Sequence, residues 1–123
     1  MILVDTSIWV DHLRKGDGEL ADLLESGMVL THPFILGELA LGNLRQRQTV
    51  LGDLSNLPAA MAATDAEALA FIDRYKLFGQ GIGYVDAHLL AATQLTPDAT
   101  LWTRDQRLHR IATALGLARK PAR

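Results

Sequence analysis

The sequence predicts an α/β fold in which a central parallel sheet lies between two layers of helices. Short apolar segments that are typical of buried strands alternate along the chain with longer segments of helical periodicity. The chain has 123 residues, which is the size of one ordinary domain. We find no internal repeat, low-complexity run or linker. We therefore expect a single domain over residues 1–123.

Three short apolar segments are typical of strands that are buried on both faces of a parallel sheet. They comprise residues 1–4, 28–31 and 100–103. A fourth segment, residues 59–63, is a weaker strand candidate. A polar or acidic residue follows the first and the last of the three strong segments, where each predicted strand leaves the sheet.

Helical periodicity and end signals define the helices between the strands. We expect Ser7 to cap the first helix and Gly27 to end the second. Pro33 is tolerated in the first turn of the third helix, and Thr64 with Glu67 has the form of a capping box. The predicted helices cover residues 8–14, 19–25, 33 to about 47, 49–56, 65 to about 78, 84–93 and 106–115.

The composition excludes several classes of protein. The sequence is 49% hydrophobic and 21% charged, which is ordinary for a soluble globular protein. No apolar run approaches the roughly 20 residues of a membrane span, and the N-terminus lacks a signal-peptide pattern. We therefore expect a cytoplasmic protein. Since the chain has no cysteine, disulfides, cysteine-ligated zinc sites and cysteine nucleophiles are excluded.

Four acidic residues occupy related positions in the predicted elements. Asp5 and Asp105 each follow a buried strand. Glu38 and Asp86 lie in or near the first turn of a helix, within mostly apolar surroundings. In open α/β sheets, ligands bind at the carboxyl ends of the strands. If the four carboxylates share that edge, their mutual repulsion must be neutralised by protons or by divalent cations.

Such a cluster has a definite chemistry. Oxygen ligands, with no cysteine and no histidine pair at ligand spacing, favour a hard cation such as Mg2+ or Mn2+. The cation polarises a phosphoryl oxygen and activates a water molecule, which suits hydrolysis of a phosphodiester. The net charge of the chain is -2; without the four clustered acids, 10 acidic residues remain against 12 basic ones. A metal site on a mildly basic body suits a polyanionic substrate.

The motifs that carry these acids resemble those of the PIN-domain ribonucleases, and among them the VapC toxins of bacterial type II toxin–antitoxin systems. The motifs are DTS at 5–7, the single Glu38 on an early helix, DAHLLAA at 86–92 and TRD at 103–105. Each motif is weak alone, but the four occur in the right order on the right elements. The resemblance covers essentially the whole chain.

The resemblance implies a three-layer α/β/α PIN-like domain with a central parallel sheet. It further implies a Mg2+- or Mn2+-dependent endoribonuclease that a VapB-like antitoxin holds inactive, commonly as a homodimeric toxin in a larger complex. Asp5 and Asp86 would be the principal metal ligands, and Glu38 and Asp105 would complete the catalytic site. Small or charged polar residues would surround the site or contact substrate. These are Thr6, Ser7, Thr103 and Arg104.

Simpler structural roles also fit individual residues. Asp5 and Asp105 are suited to cap the helices that follow them, and Asp86 is favoured by the dipole of its own helix. We expect Asp11 and Asp17 on solvated surface and His88 packed rather than catalytic. Three arginines near the last strand are candidates for steering phosphate. They are Arg104, Arg107 and Arg110.

Two other functions fit the fold class. The first is a phosphoryl-accepting α/β regulatory module, for which Asp53 resembles an acceptor. That class needs a second acid beside Asp5, where this chain has Thr6, and a late lysine, whereas no lysine lies between Lys76 and Lys120. The second is a non-catalytic binding module with a degenerate site. Divalent-metal dependence would distinguish an enzyme from such a module.

Overall fold

A computed structural model describes residues 1–120 of the chain. Within this range three short strands form one sheet, β1 Ile2–Val4, β2 Val29–Leu30 and β3 Thr100–Trp102. The order is β2-β1-β3, and both neighbouring pairs are parallel. The predicted α/β fold with a central parallel sheet is confirmed. No helix in residues 1–120 combines the length and apolar character needed to cross a membrane.

Seven helices occur in the described residues. They are α1 Thr6–Lys15, α2 Gly18–Glu25, α3 Pro33–Ala40, α4 Arg47–Ser55, α5 Asp65–Tyr75, α6 Tyr84–Leu95 and α7 Gln106–Ala114. The prediction that Ser7 caps the first helix is wrong. Asp5 is the N-cap, because its side chain already accepts a hydrogen bond from the Thr6 N–H, and α1 therefore begins earlier than expected.

The predicted third helix, residues 33 to about 47, is too long, and its last residue belongs to α4, the helix predicted separately at 49–56. α3 ends at Ala40, with Leu41 as its C-cap residue. The chain then turns at Gln46, whose φ of 51° lies in the left-handed region, before α4 begins. The Arg47 guanidinium donates a hydrogen bond to the Ala40 carbonyl at 2.9 Å, so Arg47 satisfies a terminal carbonyl of α3 from the next helix.

Two further boundaries differ from the prediction. Residues 59–63 do not form a strand of the sheet. A single isolated β-bridge pairs Ala59 with Thr31. Alanine has a low preference for strands, which accounts for this outcome. The Thr64–Glu67 capping box is present as predicted, but α5 ends at Tyr75 because Lys76 adopts a left-handed φ of 54°.

The core lies around the sheet and fixes the position of the strand ends. Leu3, Val4 and Leu101 are completely buried, and Trp9 of α1 is 2% exposed. Because β1 is the central strand, its carboxyl end lies between the two neighbouring strands. Asp5 emerges at that point, so the most buried part of the fold determines where its carboxylate is placed.

Candidate active site

Asp5 caps α1 and also joins two strand ends. Its Oδ1 accepts a hydrogen bond from the Thr6 N–H at 2.8 Å. Its Oδ2 accepts from Ser7 Oγ at 3.1 Å and from Thr103 Oγ1 at 2.7 Å. The residue is only 8% exposed. The capping role is therefore real, but the second carboxylate oxygen also binds the residue that follows β3.

Thr103 connects the acids that follow β1 and β3. Besides donating to Asp5, its hydroxyl accepts a hydrogen bond from the Asp105 N–H at 3.1 Å. Asp105 in turn caps α7 by accepting from the Leu108 N–H at 3.0 Å. Ser7 Oγ makes a parallel link, because it accepts from the Arg104 N–H at 3.1 Å. The polar residues of the DTS and TRD motifs thus form one hydrogen-bonded network.

Replacement of Thr103 by valine is expected to lower the free energy of unfolding by about 1–3 kcal/mol. The valine keeps the shape of threonine, but the Asp105 N–H loses its acceptor and Asp5 Oδ2 keeps only the longer of its two hydrogen bonds, the one from Ser7 Oγ. Urea denaturation of the purified protein measures the change. Thr103→Ser retains the hydroxyl and is the matched control. Equal losses in both variants would show that packing of the methyl group, not the hydrogen bonds, stabilises this position.

Glu38 is held near Asp5 by the start of α1. Its Oε1 accepts a hydrogen bond from Thr6 Oγ1 at 2.7 Å, and its side chain is otherwise exposed. Glu38 is the sixth residue of α3 and so lies one turn inside the helix, as the sequence indicates. Because Thr6 directly follows Asp5, this contact brings a third carboxylate to the carboxyl end of β1.

Asp86 lies in the first turn of α6, close enough to the other three acids for their charges to affect its pKa. Its Oδ2 accepts a hydrogen bond from the Gly83 N–H at 3.0 Å, which closes the start of the helix. Burial raises the pKa of Asp86 above its ordinary value; the Gly83 N–H opposes this, and the charges of Asp5, Asp105 and Glu38 raise the pKa further. The four carboxylates therefore interact electrostatically at one end of the sheet.

The donor atoms of this cluster fit a hard divalent cation. Among residues 1–120, no three acidic or histidine side chains are already close enough together to hold a metal ion. The nearby charges nevertheless raise the pKa of Asp86, so a cation at this edge would relieve repulsion. The donors are carboxylate oxygens, which Mg2+ and Mn2+ prefer. The chemistry of the residues is thus compatible with such an ion.

The glycine-rich loop before α6 packs against Arg107 of α7, a contact that the sequence analysis did not anticipate. The Arg107 guanidinium lies against Gly81 and donates a long hydrogen bond of 3.5 Å to the Gly81 carbonyl. Gly81 has a φ of 80°. The loop leading to Asp86 is therefore in contact with the helix that Asp105 caps. No local pattern could have revealed a contact between residues 26 positions apart.

Replacement of Gly81 by alanine is expected to lower the free energy of unfolding by about 1–2 kcal/mol, since a left-handed φ strains any residue with a Cβ. The new Cβ would also lie 2.8 Å from Arg107 Nη1, which must move away. Gly52→Ala within α4 is the control, because its Cβ meets no atom within 4 Å and alanine favours helices. Thermal denaturation of both variants should give shifts of opposite sign; stabilisation by Gly81→Ala would contradict the expectation.

The side chain of Arg104 is directed to residues other than the carboxylate cluster. Its Nε lies 2.6 Å from Asp11 Oδ2 and its Nη2 lies 2.9 Å from Asp17 Oδ2. Asp11 and Asp17, which were expected on solvated surface, are instead partly buried and paired with this arginine. The Leu20 N–H, together with Arg104, holds the pKa of Asp17 below its ordinary value. Arg104 approaches the site through its backbone N–H, whereas Arg107 and Arg110 are exposed on α7.

A second network fixes the start of α6. His88 is 2% exposed, which confirms that it is a packed residue. Its Nε2 lies 3.0 Å from Asp65 Oδ1, and the Tyr84 hydroxyl donates to the same oxygen at 2.6 Å. The hydrogen bond with Tyr84, and to a smaller extent the one with His88, holds the pKa of Asp65 below its ordinary value. The helix that carries Asp86 is thus tied to the start of α5, although the sequence analysis assigned no role to Asp65.

Asp53 lacks the setting of a phosphoryl acceptor. It lies within α4 and is exposed, rather than following a strand of the sheet. The acids that do follow strands, Asp5 and Asp105, belong to the cluster described above. The position of Asp53 therefore gives no support to a phosphoryl-accepting module.

Comparison with known proteins agrees with the fold. The family described as PIN domain matches residues 2–114. Two curated relatives, each named Ribonuclease VapC32, come from the CDC 1551 / Oshkosh and ATCC 25618 / H37Rv strains of Mycobacterium tuberculosis. Each is 45% identical to the chain over 118 residues, covering 96% of this chain and 95% of the relative.

Proposed function

Because this chain belongs to the PIN-domain family and is of the VapC toxin type, we propose that it is a metal-dependent endoribonuclease. The observation that carries the proposal is the hydrogen-bonded placement of Glu38, Asp5 and Asp105 at the ends of β1 and β3, through Thr6 and Thr103. Burial, together with the charges of these three acids, raises the pKa of Asp86. Four carboxylates in electrostatic contact at the carboxyl edge of a parallel sheet form a site for a hard cation. The relatives named as ribonucleases support RNA as the substrate.

The four acids would hold Mg2+ or Mn2+ in this proposal, with Asp5 and Asp86 as the principal ligands. When bound, the ion would polarise the phosphoryl oxygen and lower the pKa of a water molecule. The other residues act by positioning. Thr103 fixes the orientation of Asp5, and Thr6 does the same for Glu38 through bonds of 2.7 Å each. Ordered ligands of this kind bind a metal more tightly than freely rotating ones.

Arg107 and Arg110 are the residues that we propose to attract RNA phosphates. Both are exposed on α7, one turn apart, directly after the Asp105 cap. The hydrogen bond between Arg107 and the Gly81 carbonyl is long, at 3.5 Å, so a phosphate oxygen could replace it at little cost. Arg104 is a weaker candidate for this role, because Asp11 and Asp17 already bind its guanidinium.

The likeness to the VapC relatives also supports proposals about partners. We propose that a VapB-like antitoxin neutralises the protein, that the toxin forms a homodimer, and that it acts in the cytoplasm. We further propose that residues 1–123 form one PIN-like domain. An uncontrolled ribonuclease would damage the cell that produces it, which is the physiological reason for an inhibitor.

Cleavage of RNA by the purified protein tests the proposed function. Any co-purified inhibitor is first removed, and total RNA is then incubated with Mg2+, Mn2+ or EDTA. We expect cleavage with the metals, none with EDTA, and a loss of about a hundredfold or more in Glu38→Gln. Glutamine keeps the acceptor for Thr6, and Glu25→Gln on exposed α2 is the matched control. Absence of cleavage with either metal would favour a non-catalytic binding module.

A further inference from the structure

A cavity of about 720 Å³ opens beside β3 and adjoins the carboxylate site. Thr103 belongs to both, since it lines the cavity and donates a hydrogen bond to Asp5. Leu101 and Trp102 form part of the cavity wall along the strand. The volume lies within the range of small-molecule sites. A group bound in the cavity would therefore lie next to whatever the carboxylates bind.

Two flat groups of the cavity wall, the Trp102 ring and the Arg119 guanidinium, are in cation–π contact. Trp102 is partly exposed, and the Arg119 guanidinium carbon lies 4.6 Å from the centre of its ring. Backbone bonds place Arg119 there: the Leu101 N–H donates to the Leu117 carbonyl at 2.7 Å, and the Arg119 N–H donates to the Leu101 carbonyl at 2.9 Å. Aromatic rings and guanidinium planes are the surfaces on which proteins stack unpaired RNA bases.

The charges of the cavity wall favour a neutral base over a phosphate. Arg119 Nη2 is paired with Glu19 Oε2 at 2.6 Å, and Arg104 is paired with Asp11 and Asp17. Neither arginine is therefore available to bind a phosphate without breaking an ion pair. These contacts leave the cavity with flat and polar groups but with little net positive charge, which is the setting of base recognition rather than backbone binding.

One acid in the wall is suited to select among the bases. Within residues 1–120, the exposed Asp22 carboxylate takes part in no ion pair and accepts no hydrogen bond from a side chain or backbone group. Its backbone carbonyl accepts from the N–H and the Oγ of Ser26. A carboxylate accepts hydrogen bonds from exocyclic amino groups, as Asp and Glu do with cytosine. Adenine, cytosine and guanine carry such a group. Uracil carries none, and its one donor on the pairing edge, N3–H, lies between two carbonyl oxygens that a carboxylate repels.

We propose that this cavity is a nucleobase subsite that binds the base of a nucleotide adjacent to the cleaved phosphate and that Asp22 makes it prefer bases with an exocyclic amino group over uracil. The inference rests on the proposed ribonuclease function for the identity of the substrate. Gln106 and His109, on the face of α7 that lines the cavity, add hydrogen-bonding groups at its rim. The subsite would thus couple base selection to the carboxylates through Thr103.

Binding of nucleosides to the full, metal-free chain tests the subsite apart from catalysis. Adenosine, cytidine, guanosine and uridine are titrated while the indole N–H resonances of Trp102 and the buried Trp9 are followed by NMR. We expect a shift at Trp102 alone, with the three amino-bearing nucleosides binding about tenfold more tightly than uridine. Asp22→Asn should abolish the preference, and Glu25→Gln on the same helix should retain it. Equal binding of all four nucleosides, or no shift at Trp102, would overturn the proposal.

Cleavage of short RNAs that differ in the bases flanking one phosphodiester bond completes the test. We expect the wild-type protein and Glu25→Gln to discriminate against uracil on one side of the bond, and Asp22→Asn to lose that discrimination while still cleaving the uracil-containing RNA. An unchanged preference in Asp22→Asn would overturn the subsite although the ribonuclease function stands. Selective nucleoside binding by a wild-type protein that cleaves no RNA would instead overturn the ribonuclease function and leave a base-binding site.

Discussion

Replacement of Asp86 by asparagine is expected to lower the rate of RNA cleavage by about a thousandfold or more, which corresponds to about 4 kcal/mol of transition-state stabilisation. Asparagine has the same shape and keeps an oxygen that can accept the Gly83 N–H, so the start of α6 should stay intact. It removes the negative charge that a bound cation requires. Cleavage rates with Mn2+ at saturating RNA measure the effect.

Stability measurements separate loss of the proposed metal site from loss of the fold. Because burial and neighbouring acids raise the pKa of Asp86, the native state disfavours its charge, and stability is lost as the pH rises through that pKa. The metal-free Asp86→Asn variant should therefore be at least as stable as the wild type at neutral pH, yet gain less stability from Mn2+. Asp73→Asn on exposed α5 is the control. An active Asp86→Asn variant would remove Asp86 from the proposed ligands.

Acid is expected to lower the stability of the protein strongly through His32, the buried N-cap residue of α3. Burial, with a smaller effect of His88, lowers the pKa of His32 from 6.5 to about 4. Below pH 6.5 the unfolded chain takes up a proton at His32, but the folded protein does not until the pH reaches about 4. Stability from this residue is therefore complete above pH 6.5 and falls by about 3 kcal/mol as the pH drops to 4.

The variant His32→Asn isolates this contribution. His32 Nδ1 accepts the Phe34 N–H at 3.0 Å, and asparagine is a preferred N-cap residue that can accept the same bond without titrating. Urea denaturation between pH 4 and pH 7.5 should show a weaker loss of stability in this variant than in the wild type. His109→Asn, at an exposed position on α7, should leave the pH profile unchanged. Parallel profiles for wild type and His32→Asn would refute the argument.

The sequence predicted the elements whose signals are local. The apolar segments gave the three strands, and the Thr64–Glu67 box gave the start of α5. The order of the acids on strand ends and helix starts was likewise visible, as was the polar surrounding of Asp5. An error arose where two residues were suited to the same role. Asp5 and Ser7 are both preferred N-cap residues, and the hydrogen bond that the Asp5 side chain accepts from the Thr6 N–H decides between them.

Contacts between distant residues could not be predicted from one sequence. The Arg104 guanidinium binds Asp17 across 87 positions, and Tyr84 binds Asp65 across 19. An arginine beside an acid on a strand end looks like a phosphate ligand whether or not its side chain is already paired. Only the folded structure, which places Asp11 of α1 and the α2 N-cap residue Asp17 beside Arg104, reveals that Arg104 has partners. The cavity beside Trp102 is equally invisible in the sequence, because three separate segments form its walls.

The hydrogen bond between Thr103 and Asp5 affects when the site can form during synthesis of the protein. It joins residues 98 positions apart. The central strand β1 pairs with β2 on one side, but on its other side it has no partner until β3 is in place. Pairings across such a separation form late, because the intervening chain must first be synthesised and ordered. We therefore expect the carboxylate site to form only after residues 100–105 have left the ribosomal exit tunnel. A nascent chain that lacks these residues leaves Asp5 without the Thr103 hydroxyl and has no carboxylate at position 105.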